Sequence, residues 1–337
     1  MPTWGEILKE FQGGVPDVAD IVRRKYLSLL AQHTGRDVIL YSTRWTNPGS
    51  AAPDSISITE EDLQGFMEVV NGLRGDNLDL VLHSPGGSPV ATEAIVKYLR
   101  KKFANIRVII PQGAMSAGTM LACSANQIVM GKQSFLGPID PQFILQTQLG
   151  ARMVPAQAIL DQFEMAQREC RDAQKLASWL PILSQYGPGL LVECKNAIAL
   201  SKRLVKDWLC NYMFAGQRRA SWKASIAARS LADHQRHKSH GRHLDRDDCK
   251  LLRLNVEDLE LDQTLQDLVL SVFHASTLTF TFTPAAKIIE NQNGKAFIKL
   301  SGNVQIRPQP QPAPAPMTPP QAPPAMQPQP TPSSAKP

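Results

Sequence analysis

Apolar and polar positions change rhythm several times along the chain. Over 19–30 apolar residues recur at helical spacing, with Arg23, Arg24 and Lys25 assigned to the other face, so 1–34 reads as a helical segment. Its apolar stripe needs a partner, either the main domain or a second subunit. A short apolar run at 38–42 predicts a strand, and 44–57 is a loop rich in Pro, Gly, Ser and Asn. Thr59, Glu60, Glu61 and Asp62 read as a helix start, with threonine as cap and acids in the first turn; that helix is expected to run to about Leu73.

From Leu78 the pattern becomes strand, turn, helix, and repeats. Strands are expected over 79–83, 107–111 and 127–130, helices over 89–103 and 116–125, and a loop over 134–142. Short apolar runs alternating with helices predict an α/β fold of parallel βαβ units, buried on both faces. The stretch 155–209 reads as helical, broken at Pro181 and at Gly187-Pro188-Gly189. A further helix is expected over 223–231, a histidine-rich polar loop over 234–243, and a helical piece over 246–250. The stretch 255–270 is amphipathic, and 278–282 (LTFTF) is β-prone. From about Gly302 the chain is Pro, Gln and Ala, with half of its 26 prolines, and is expected to be disordered or polyproline-like. The domain reading is a helical segment 1–34, a main domain 35–300 and a tail 301–337.

Composition narrows the classes. A chain of 337 residues can bury a full α/β core with room for extra helices. Much of the net charge of +6 comes from the basic stretch 217–253, without a clear aromatic–basic surface, so nucleic acid is not an expected partner. The cysteines, Cys123, Cys170, Cys194, Cys210 and Cys249, have no CxxC spacing, which fits a reducing, cytoplasmic compartment. The N-terminus lacks the basic and apolar regions of a signal peptide. No stretch approaches the roughly 20 apolar residues of a membrane span.

Two small-residue turns carry the candidate chemistry. Ser84-Pro85-Gly86-Gly87-Ser88 and Gly113-Ala114-Met115-Ser116-Ala117-Gly118 each follow a strand and open a helix. A serine on such a turn can be exposed as a nucleophile, and glycines on the neighbouring turn can offer N–H groups to an oxyanion. Ser116 could equally serve only as a helix cap. A glycine turn also binds phosphate, but the spacing here is neither GxGxxG nor a P-loop.

With Leu136-Gly137-Pro138-Ile139-Asp140 following them, these turns make residues 78–143 resemble the Clp protease superfamily. That superfamily takes in the caseinolytic Clp peptidase, the signal peptide peptidase A family and the crotonase-like acyl-CoA enzymes. The stretch looks most like the serine dehydrogenase proteinase family of Clp-fold serine peptidases. A weaker similarity continues through 155–287, including Ser239-His240-Gly241-Arg242 and Pro284-Ala285-Ala286-Lys287. The resemblance implies a Clp/crotonase-like parallel core. It implies Ser116 as nucleophile, Gly86 and Gly87 as oxyanion and peptide-docking backbone, and the Ala117 amide as a second donor. The Clp order Ser–His–Asp cannot be built, because no histidine lies between His83 and His234. The family's order Ser–Asp–His fits Ser116, Asp140 and a later histidine.

The candidates for that histidine are His234, His237, His240 and His243. His240 is preferred, because SHGR resembles the family segment and Gly241 permits a turn; His243 is the next choice. A solvated basic loop, or imidazoles sharing a zinc ion, remain open for this cluster. Asp140, between Pro138 and Pro141, could simply cap its turn. Signal peptide peptidase A relatives use a lysine base, for which Lys175 is the best-placed residue and Lys132 a lesser one. The implied function is a serine peptidase acting through an acyl-enzyme on peptide or protein substrates. It needs no metal or cofactor, works as a homo-oligomer, and has a Pro-rich tail available to a partner. A non-catalytic peptide-binding subunit and a crotonase-like acyl-CoA enzyme are the alternatives.

Overall fold

The computed structural model describes residues 3–12, 17–147 and 150–301. The chain opens with helices α1 (Trp4–Phe11) and α2 (Val18–Thr34) and enters a sheet at β1 (Asp37–Thr43). A helical turn α3 (Pro53–Ile56) and helix α4 (Asp62–Val70) lead to β2 (Asn77–His83), α5 (Pro89–Lys102) and β3 (Asn105–Ile110). Next come β4 (Gly113–Ala114), α6 (Ala117–Cys123), β5 (Gln127–Met130) and β6 (Phe135–Leu136). A hairpin, β7 (Gln142–Thr147) and β8 (Gly150–Pro155), precedes α7 (Ala156–Glu169), α8 (Ala173–Leu183), α9 (Leu190–Trp208) and α10 (Ala220–Leu231). The chain continues through α11 (His234–His237), β9 (Leu244–Asp245), α12 (Arg246–Leu251) and β10 (Val256–Asp258). It then runs through α13 (Gln263–Phe282), β11 (Ala285–Asn291) and β12 (Ala296–Leu300).

The central sheet has the order β10-β5-β3-β2-β1-β11-β12. Its first five strands are parallel; β11 and β12 add antiparallel at one side. Alternation along each strand feeds two cores. Ile39, Tyr41, Leu80, Leu82, Val108 and Ile110 pack on one face with α4, α5 and α6, whereas Val38, Leu40, Val81, Ile109 and Val129 meet α1, α2 and α13 on the other. The α/β class with a parallel-rich sheet is as expected.

Several local expectations change. Arg23 is buried rather than solvent-facing, because Glu290, Thr279 and Asp20 satisfy its guanidinium. Helix α4 starts at Asp62, later than expected, and Asp62 is buried. Pro181 does not break its helix but sits near the end of α8. The stretch 255–270 divides into edge strand β10, a 3-10 turn over Leu259–Leu261, and the start of α13, where the Asp262 side chain accepts the Leu265 amide. LTFTF is the last part of α13, not a strand. Thr277, Thr279 and Thr281 return their hydroxyls to carbonyls one turn back, and Leu278 and Phe280 are buried, so tertiary packing overrides β propensity. The expectation for 302–337 lies outside the described residues. Among the described residues no helix is long and apolar enough to cross a membrane.

Candidate active site

A second, three-stranded sheet, β4-β6-β9, assembles the candidate site. Strand β4 runs parallel to β6, and β6 antiparallel to β9. Ser116 follows the end of β4, Asp140 follows the end of β6, and His240 precedes the start of β9. The directions of the strands therefore bring three distant segments to one end of this sheet.

Ser116 stands at φ 51° and ψ −118°, a left-handed conformation that a residue with a Cβ adopts only under strain. Its side chain makes no capping hydrogen bond to α6, so the hydroxyl is not spent on the helix. The turn is held by its neighbours. Met115 donates its amide to Ser84 O at 2.9 Å, and Ser84 donates its own to Gly113 O at 3.1 Å. The buried Thr119 hydroxyl donates to Ala114 O at 2.8 Å and accepts the Gly137 amide at 3.0 Å. Gly137 presses on Met115, so closely that a Cβ there would meet its terminal methyl at 2.5 Å and its sulfur at 2.7 Å.

The Gly86–Gly87 turn lies against the serine. A Cβ on Gly86 would sit 2.7 Å from Ser116 Cβ and 2.8 Å from the Ala117 nitrogen. Both glycines have positive φ, 98° and 149°. The Gly86 amide is taken by Ser84 Oγ at 3.1 Å. Among the described residues the amides of Gly87 and Ala117 have no backbone or side-chain acceptor, and Gly87 is exposed. Both N–H groups are therefore available to an oxyanion, with the N-terminus of α6 adding favourable field.

Asp140 is buried and bridges two imidazoles. His240 Nδ1 lies 2.7 Å from Oδ1, and His234 Nδ1 lies 3.0 Å from Oδ2. Gln142 Nε2 donates to Oδ2 at 3.2 Å. A carboxylate on Nδ1 favours the tautomer with its proton there, which leaves Nε2 with a lone pair. Asp140 thus has side-chain partners far beyond its own turn. No hydrogen bond joins Ser116 to either ring among the described residues.

The other candidates are placed elsewhere. His237 is buried, its Nε2 2.7 Å from Ser230 O, and burial lowers its pKa. His243 is exposed and stacks on Phe135, with centroids 3.7 Å apart. Lys175, on α8, and Lys132 are both exposed, without the desolvation that a lysine base requires. No group of three or more His, Cys, Asp or Glu among the described residues is placed to hold a metal ion. Sequence reasoning named His234 only as one of four histidines. Its signal was Asp233, whose carboxylate accepts the Arg236 amide and starts the turn α11.

Residues 58–178 match a protein family described as ClpP-like SDH-type serine proteinase. Two uncharacterized proteins of Methanocaldococcus jannaschii align at 41% and 40% identity over 86 residues, which is 25% of this chain and 30% of either relative. The chain thus spans less than a third of the length of these curated relatives. A solved structure, a mutant of a membrane-bound stomatin-specific protease, aligns over 59% of this chain and 74% of its own at 14% identity, with a TM-score of 0.36. The family resemblance read from the sequence is shown over the matched stretch.

Proposed function

We propose, from the premise that residues 58–178 match the ClpP-like SDH-type serine proteinases, that this chain hydrolyses peptide bonds through an acyl-enzyme on Ser116. The carrying observation is the strained Ser116, its hydroxyl not used as a cap, packed against the glycine turn, with the Gly87 amide on that turn and the Ala117 amide on its own turn both unpaired among the described residues. In this reading His240 Nε2 takes the hydroxyl proton as Oγ attacks the scissile carbonyl. Asp140 holds the ring through Nδ1 and stabilises the imidazolium. The Gly87 and Ala117 amides receive the developing oxyanion. Collapse of the tetrahedral intermediate breaks the C–N bond, and His240 returns the proton to the leaving amine. Water, deprotonated by the same imidazole, then releases the acid and restores Ser116.

The second histidine on Asp140 gives a second assignment, with His234 as base, on the observation that its Nδ1 meets the same carboxylate. His240 is favoured by its shorter contact and by its tether to β9 in the sheet that carries Ser116. The test is intact-mass analysis after fluorophosphonate treatment of wild type and Ser116→Ala. A single adduct on wild type, absent from the variant, is expected. A folded wild type that takes no adduct would overturn the reading.

A further inference from the structure

Behind the Gly86–Gly87 turn lies Ser57-Ile58-Thr59, and behind that segment a charged cluster sealed from solvent. Lys287, on β11, and Asp62, at the start of α4, each have 0% side-chain exposure. Lys287 Nζ lies 2.6 and 2.8 Å from the two Asp62 carboxylate oxygens and donates to Ser57 O at 2.6 Å. Asp62 Oδ2 also accepts the Tyr41 hydroxyl at 2.8 Å and the Thr59 amide at 3.0 Å. The pair therefore grips the residues on either side of Ile58. Ile58 in turn donates its amide to Gly86 O at 2.7 Å and accepts the Ser88 amide at 2.9 Å. The fit is close, since a Cβ on Gly87 would lie 2.4 Å from the Ile58 main chain.

A buried ion pair is a weak source of stability. Its desolvation penalty about offsets its attraction, and a well-packed apolar pair often folds as well or better. An apolar pair cannot, however, fix the carbonyl of Ser57 and the amide of Thr59 in direction. We propose that Lys287 and Asp62 are positioning residues for the oxyanion site: by anchoring Ser57 and Thr59 they hold Ile58 as the strand that sets the Gly87 amide beside Ser116. This rests on the serine peptidase reading of Ser116.

The test uses the full chain with Asp62→Leu and Lys287→Met combined, which removes both charges at once. Three readouts are compared with wild type: the thermal midpoint, amide exchange at Ile58 and Ser88, and the rate of fluorophosphonate addition to Ser116. The double variant is expected to stay folded with a lowered midpoint, since the Tyr41 hydroxyl, the Thr59 amide and the Ser57 carbonyl lose their partners, to exchange both amides at least about tenfold faster at a temperature where it is fully folded, and to label there at least about tenfold more slowly. Labelling at the wild-type rate, or unchanged exchange, overturns the inference and leaves the peptidase reading standing. No adduct on wild type removes the peptidase reading and this inference with it. Should the double variant not fold, Tyr41→Phe deletes only one hydrogen bond to Asp62. Slowing of about two- to fivefold is then expected, and none overturns the inference.

Discussion

At Ser116 the backbone is as unusual as the side chain is reactive in the proposed chemistry. A φ of 51° costs a non-glycine residue on the order of 1–3 kcal/mol. Ser116→Ala keeps that strain, while Ser116→Gly relieves it. Both are expected to lose labelling, with the glycine variant about 1 kcal/mol the more stable in urea unfolding; equal stabilities would mean that the turn is not strained. Asp140 tests the imidazole assignment. Asp140→Asn keeps the shape but favours the wrong tautomer, and labelling is expected to fall at least about a hundredfold. His240→Ala is expected to match that loss, and His234→Ala to stay within about tenfold of wild type. The reverse order would hand the role of base to His234.

At the scale of elements, the site depends on two very short strands being pinned to each other. Thr119 does this by bonding β4 through Ala114 O and the residue after β6 through the Gly137 amide. Thr119→Val should leave that buried amide unpaired, lowering stability by about 1–3 kcal/mol and slowing labelling of Ser116. An unchanged urea midpoint with unchanged labelling would show that the β4–β6 pairing holds without it. The elements differ in how far their sequences announce them. The expected strands at 79–83 and 127–130 each hold a wholly apolar run, 80–82 and 128–130, and both lie inside the central sheet as expected. Strand β11 escaped a pattern reading because it buries Lys287, Glu290 and Asn291. These polar residues look like loop until Asp62, Arg23 and Val69 O, all distant in sequence, are seen to satisfy them.

At the scale of the whole molecule, pH acts through His83. It is buried at the end of β2 between Trp45 and Phe273, and neither ring nitrogen has a hydrogen-bond partner among the described residues. Burial pushes its pKa down to about 3, only partly opposed by the nearby Gly113 main chain. The unfolded chain therefore binds this proton below about pH 6.5 while the folded one does not. This contribution is complete above about 6.5 and is lost as pH falls from there toward 3, by up to about tenfold in the folding constant per pH unit. Urea midpoints at pH 7.5 and 4.5 check it: His83→Phe is expected to lose less on acidification than wild type, and an equal loss would refute the role. The sequence by itself determined the parallel βαβ alternation, the two small-residue turns and the candidate serine, because local period and turn chemistry are written in neighbouring residues. Only the tertiary structure decided that Asp140 meets both His240 and His234, that His243 stacks away on Phe135, and that Lys287 and Asp62 pair behind Ile58. Those choices depend on strand direction and on burial, which join residues that no local pattern connects.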